Sequence, residues 1–181
     1  MMRVIEPTSE VELDQVRGLL RCFVGWARAR YAAEIEFVQQ YFDEAAFEAE
    51  LMGLPGKYAR PQGRLLLALD GDRPAGCVAS RDLGAGVCEM KRLYVDPSLH
   101  GKGIGRALVS TLVQEAKLAG YLTMRLDTGP SQVEAQTLYR SAGFRLITPY
   151  YDLPEPLRSW LVFMELDLSH KKVVPEGARV Y

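Results

Sequence analysis

Cysteine and histidine are scarce in this chain, with 3 Cys and 2 His in 181 residues. Cys22, Cys77 and Cys88 are widely spaced and form no CxxC pair. That excludes a disulfide framework or a cysteine-rich zinc site and reads as free thiols in a reducing compartment. His100 and His170 are too few for a histidine-based metal centre. Neither sign of charge dominates: 22 basic residues face 23 acidic ones, for a formal net charge of −1. Nucleic-acid binding needs a strong basic surplus or stripe, and none is present. The purest apolar run, Leu65–Leu69, is far too short to span a bilayer, and Met1–Pro7 offers no stretch for a signal peptide. No GxSxG is found, so serine-hydrolase chemistry has no support. A cytoplasmic protein is expected, with no metal, no nucleic-acid partner and no membrane partner.

What the chain does have is punctuation. Ser9 followed by Glu12 reads as a capping box opening a helix with Leu13, Val16, Leu20, Phe23 and Ala27 on one face. A second helix is predicted over about 34–51, with Ile35, Val38, Phe42, Ala45 and Ala46 on its apolar face. Arg64–Leu69 and Pro74–Ser80 flank Asp70–Gly71–Asp72, a hairpin signal. Val87–Val95 is predicted as a strand, 104–119 as a helix and Tyr121–Asp127 as the next strand. Ser131 is expected to cap a helix running through Ala142. Two final strands are expected over Phe144–Ile147 and Trp160–Leu168, and the latter offers an exposed edge through which a homodimer could form.

The most informative stretch joins the strand at Val87–Val95 to the helix after it: His100–Gly101–Lys102–Gly103–Ile104–Gly105–Arg106. Alternate glycines let a backbone approach a bulky anion. The N–H groups of a new helix's first turn point at such an anion, and the helix dipole favours its charge. Lys102 and Arg106 add positive charge. The pattern implies a pyrophosphate cradle. A P-loop would need GK followed by Ser or Thr, but Arg106–Ala107 follows Gly105. A dinucleotide fingerprint would need a third glycine where Arg106 stands, although Asp127 lies at a suitable distance for its acidic residue.

The block resembles motif A of the GNAT superfamily of acyl-CoA-dependent N-acetyltransferases, (Arg/Gln)-x-x-Gly-x-(Gly/Ala), after Leu93–Tyr94–Val95. A second stretch, Ala135–Gln136–Thr137–Leu138–Tyr139–Arg140–Ser141–Ala142–Gly143–Phe144, resembles the family's motif B. Two positions depart: His100 replaces the usual Arg or Gln, and Gln132 stands where Asn is common. The resemblance implies an α/β (mixed α+β) fold: one domain over 1–168 and a tail over 169–181. Its mixed, mostly antiparallel sheet of six to seven strands would be splayed between two central parallel strands, with helices on both faces.

The resemblance further implies that acetyl-CoA is the cosubstrate and that the partner is a small-molecule or peptide amine. Leu93, Tyr94 and Val95 would pair with the pantetheine arm. His100, Gly101, Lys102, Gly103, Ile104, Gly105 and Arg106 would hold the pyrophosphate, with Gln132 and Tyr139 also touching the coenzyme. Tyr139 matches the tyrosine that acts as general acid toward the coenzyme sulfur. Glu89, on the same strand as Leu93–Val95, is the candidate base, because a lysine-type amine with a pKa of ~10.4 must lose a proton before attack. Tyr58, Arg81, Tyr150 and Tyr151 are assigned to loops rimming an acceptor cleft, where aromatic and basic groups suit a carboxylate-bearing or amphipathic amine. A non-catalytic acyl-CoA sensor of the same fold is the alternative, prompted by His100.

Overall fold

The computed structural model describes residues 1–169. The elements run β1 (Met2–Ile5), α1 (Glu10–Arg30), α2 (Ile35–Tyr41), α3 (Glu44–Met52), β2 (Arg64–Asp70), β3 (Arg73–Gly84) and β4 (Val87–Val95). They continue with α4 (Ile104–Leu118), β5 (Thr123–Thr128), α5 (Val133–Ser141), β6 (Arg145–Ile147), α6 (Leu157–Trp160) and β7 (Val162–Asp167). The tail expected over 169–181 lies, but for Ser169, outside the described residues, as does His170.

The capping box forms as read. Ser9 Oγ accepts the Glu12 N–H, while the Glu12 carboxylate accepts from the Ser9 and Thr8 N–H groups. The second helix does not run unbroken. A 3₁₀ turn at Ala32–Glu34 precedes α2, and the chain breaks at Phe42–Asp43, where the Asp43 carboxylate accepts the Ala46 N–H at 2.8 Å and starts α3 afresh. A side chain that caps outcompetes helix continuation at that point. The break rotates the apolar face: Phe47 and Leu51 are buried, while Ala45 and Ala46 are exposed. Ser131 caps nothing; Gln132 is the residue before α5, and its side chain makes no capping bond.

Among the described residues seven strands form one sheet in the order β1-β2-β3-β4-β5-β7-β6. Every neighbouring pair is antiparallel except β4 and β5. That parallel pair is short. Its register covers Val87↔Thr123, Cys88↔Met124 and Glu89↔Arg125. Beyond Glu89 the two strands part, so the sheet is splayed there. The expectation of an exposed edge at Trp160–Leu168 is overturned: β7 lies between β5 and β6, Trp160 and Leu161 precede it, and the edges are β1 and the short β6. The dimer reading loses the feature it stood on.

The sheet separates two cores. On one face α4 and α5 pack Ile104, Leu108, Leu112, Tyr139 and Phe144 over Cys88, Met90, Met124 and Leu126. On the other, α1–α3 pack Leu20, Val24, Phe42 and Phe47 over Leu65, Leu67, Cys77 and Ala79. A smaller cluster of Leu157, Leu161 and Phe163, with Tyr41, Tyr150 and Tyr151 beside it, closes the end next to the splay. No described helix is long and apolar enough to cross a membrane.

Candidate active site

The glycine turn takes the form its sequence requires. Gly101 and Gly103 have φ of 80° and 79°, a left-handed conformation that a Cβ makes strained, and Gly103 is the residue from which α4 starts. A Cβ at either would meet nothing within 4 Å, so both stand over open space. Gly105 serves differently. It is helical, and a Cβ there would come to 3.2 Å from Leu138 Cδ2, so its smallness lets α4 approach α5. Lys102 pairs with Asp70 at 2.8 Å, and Arg106 is exposed in the first turn of α4. His100 stays exposed, but its Nε2 lies 3.1 Å from the Val95 carbonyl oxygen and ties the turn back to the strand. That carbonyl, expected to serve the pantetheine arm, is therefore engaged by the protein itself.

The strand before the turn carries a bulge. Cys77 pairs with Tyr94 and Ala79 with Lys91, which leaves Arg92 and Leu93 opposite Val78 alone, with Arg92 at φ 62°. Tyr94 packs its ring on Phe23 at 5.7 Å. Between the bulged strand and the end of β5 lies a cavity of about 60 Å³. Met90, Lys91, Arg92 and Leu93 line it from β4, Asp127 and Thr128 from β5, and Gln132 and Tyr139 from α5 and the residue before it. Gln132 accepts a hydrogen bond from the Thr128 hydroxyl. Tyr139 is 6% exposed and packs on Phe144. Burial holds its phenol well above the usual tyrosine range, so it is protonated at neutral pH.

Beneath the cavity is a buried ionic network that the sequence reading missed. Lys91 Nζ donates to Asp127 Oδ2 at 2.6 Å and to the Tyr41 hydroxyl at 3.0 Å. Tyr41 and Tyr151 donate to the two Asp127 oxygens at 2.5 and 3.1 Å. Burial alone would raise the Asp127 pKa, but the Lys91 ammonium and these donors bring it below the ordinary value. Burial and the Asp127 charge push the Tyr41 phenol up to about 12.

Glu89 stands one step behind. Its side chain is 0% exposed, takes Arg81 Nε at 2.5 Å and the Tyr150 hydroxyl at 2.6 Å, and lies 3.4 Å from Lys91. It does not line the cavity, whereas Asp127 does. Of the residues assigned to rim loops, Arg81 lies within β3 instead, and Tyr58 is buried on Glu50 at 2.9 Å. A signal for the network was present in the strands. Glu89 and Lys91 on β4, and Arg125 and Asp127 on β5, alternate with apolar residues at period two. Central strands covered by helices on both faces are ordinarily apolar throughout.

A family model described as the acetyltransferase (GNAT) family matches residues 18–144. The chain belongs to the GNAT family. An uncharacterized N-acetyltransferase of Schizosaccharomyces pombe is 39% identical over 139 residues, covering 74% of this chain and 83% of that one. The GNAT acetyltransferase of Staphylococcus aureus shares the fold at a TM-score of 0.72 and 18% identity, covering 93% of this chain and 99% of that one. The PaiA N-acetyltransferase of Thermoplasma acidophilum, solved with coenzyme A, superposes at a TM-score of 0.67 and 19% identity over 92% of this chain and 99% of its own. This GNAT chain is an acyltransferase by family. Among the described residues no cluster of His, Cys, Asp and Glu is suited to a metal ion.

Proposed function

We propose that this GNAT chain transfers an acetyl group from acetyl-CoA to the primary amine of a small molecule, amino acid or peptide, by direct attack within a ternary complex. The observation that carries the reading is the occurrence together of three features: the left-handed glycine turn that opens α4, the β4–β5 splay, and a cavity at the splay lined by both Tyr139 and Asp127. The residues fit the coenzyme. Gly101 and Gly103 leave open space before the α4 N-terminus, whose amides and dipole favour a pyrophosphate, with Lys102 and Arg106 beside it. The β4 backbone past Glu89, freed from β5, suits the amides of an extended pantetheine arm.

Acetyl-CoA bound there supplies the thioester whose carbonyl carbon the amine attacks, the C–N bond forming as the C–S bond breaks. Asp127, ionised through its contact with Lys91, takes a proton from the amine nitrogen. Tyr139 holds its phenolic proton at neutral pH and delivers it to the departing sulfur. A thiol pKa of ~8.5 makes that demand modest. Glu89, 3.4 Å from Lys91 and held by Arg81 and Tyr150, fixes the ammonium that orients Asp127, so in this reading the sequence-derived base candidate is a positioning residue. Leu93, Tyr94 and Val95 with the turn His100–Arg106 hold the coenzyme, and Gln132 borders the thioester. One relative is named for a small product: an N-acetylaspartate synthetase of Danio rerio is 30% identical over 151 residues, 80% of this chain and 53% of that one.

The test is thiol release from acetyl-CoA across a panel of primary amines, run beside thermal shift with coenzyme A. A coenzyme-dependent shift with turnover on some amine is expected. No shift at millimolar coenzyme overturns the reading, and a shift without turnover on every amine moves the chain to the acyl-CoA sensor class.

A further inference from the structure

A second, larger cavity adjoins the catalytic one. It measures about 370 Å³ and lies between α2–α3 and the turn Gly53–Tyr58. Tyr41, Phe42 and Arg92 line both cavities, so they form the partition between them. Its walls are aromatic and its polar end is cationic.

Arg92 owes its place to the bulge. With φ at 62° it leaves the alternation of β4 and extends toward α3, where its guanidinium lies over Phe42 at 5.4 Å and Phe47 at 5.1 Å. Its Nε and Nη2 donate to the two Glu50 oxygens at 2.8 and 3.2 Å. Lys57 Nζ reaches the same carboxylate at 2.6 Å, and the Tyr58 hydroxyl donates to it at 2.9 Å. Glu50 therefore spends its oxygens on donors from three residues.

The cations are not used up. Among the described residues nothing accepts from Arg92 Nη1, and Lys57 has ammonium N–H groups beyond the one given to Glu50. Asp43, the other carboxylate on this cavity, is turned to the Ala46 amide. Hydrogen-bond donors carrying positive charge thus exceed acceptors at one end of an aromatic pocket that Tyr41, Phe42 and Arg92 separate from the cavity lined by Asp127. An anion with two coplanar oxygens satisfies that surplus, since it can bridge the end of the guanidinium fork to an ammonium.

We propose that the acceptor amine carries a carboxylate, held by Arg92 and Lys57, which directs the amine past Tyr41 and Phe42 toward Asp127. This rests on the acetyl-transfer reading above. Glu50 acts as the brace that fixes both cations in place, and the aromatic walls take the acceptor's apolar side chain.

The experiment compares each of several amino acids with its methyl ester and its decarboxylated amine, by thiol release from acetyl-CoA. Loss of a charged hydrogen-bonding group from the ligand is expected to lower kcat/KM by about 10- to 100-fold or more. Lys57→Gln should raise KM for the free acids by about tenfold while the coenzyme A thermal shift stays in place; Arg92→Lys, which keeps the charge and loses the fork, should act in the same direction. In parallel, calorimetry measures binding of N-acetyl amino acids, the expected products, to the wild-type chain and to Lys57→Gln, with no turnover needed. Binding that weakens in Lys57→Gln supports the site. Esters and decarboxylated amines that turn over as well as the acids, with coenzyme binding intact, overturn the carboxylate proposal and leave acetyl transfer standing. N-acetyl amino acids that bind in a Lys57-dependent way to a chain that ignores coenzyme A would instead overturn acetyl transfer and leave the carboxylate site.

Discussion

Tyr139 and Asp127 come to the cavity from different elements, and their substitution separates two kinds of loss. Tyr139→Phe keeps the ring on Phe144 and removes the hydroxyl that would carry the proton. We expect kcat to fall by about 10²-fold, the lower end for general acid catalysis because thiolate leaves readily, with coenzyme affinity and Tm nearly unchanged. Steady-state kinetics beside thermal shift decides it; equal kcat removes Tyr139 from the chemistry. Asp127→Asn is a heavier change, because it strips the buried Lys91 of its closest counter-charge. A buried pair broken on one side costs about 3–5 kcal/mol. The double variant Asp127→Asn with Lys91→Met should recover much of that stability in urea titrations and none of the activity. Restored activity in the double variant would make Asp127 a structural residue. Sequence reading found Tyr139 because a motif carries it. It weighed Asp127 only as a dinucleotide carboxylate, because the contacts that join Asp127 to Lys91, Tyr41 and Tyr151 come from side-chain packing beyond the paired register of β4 and β5, which no local pattern states.

At the scale of elements, the turn into α4 was legible because conformation is local. Glycines at left-handed φ are required whatever packs around them. Gly101→Ala and Gly103→Ala should each cost about 1–2 kcal/mol from the left-handed penalty alone, since a Cβ at either position meets no neighbour. Coenzyme affinity should fall further in both. Calorimetry with coenzyme A and chemical denaturation separate the two effects, and unchanged affinity would argue that the turn binds no phosphate. The break between α2 and α3 was not legible from apolar periodicity, because Val38, Phe42 and Ala46 continue one face on paper. Asp43 decides it by accepting the Ala46 amide. Removing that acceptor in Asp43→Ala should cost about 1 kcal/mol in thermal or urea unfolding. The same break turns Phe47 toward Arg92, so a capping residue helps shape the cavity assigned to the acceptor.

Over the whole molecule, the two faces of the sheet divide labour. The α4–α5 face is an apolar core that carries the coenzyme turn, while the α1–α3 face holds the buried carboxylates Asp127 and Glu50 against Lys91, Arg92 and Lys57. The alternation of hairpin, glycine turn and helix made the mixed sheet readable from the sequence. The order β5-β7-β6 was not, since β7 inserting between its predecessors is a long-range choice. The division has a consequence for acid stability. Arg92 and Lys57, outweighing burial, hold the Glu50 carboxyl down at about 2, and Lys91 holds Asp127 below its ordinary value. A carboxylate with a depressed folded pKa contributes stability that is fully present above its unfolded pKa, about 4, and is lost as pH falls through the folded value. The urea midpoint should therefore stay level from pH 8 to about 5 and drop between about 4.5 and 2. Glu50→Gln, which removes one such carboxylate and leaves Arg92 less well paired, should be destabilised at pH 7 by about 3–5 kcal/mol. It should then lose less than the wild type on acidification, so the two curves converge toward pH 2. Parallel curves across that window would mean that Glu50 is not held ionised by its cations, and the brace assigned to it beside the acceptor carboxylate would go with it.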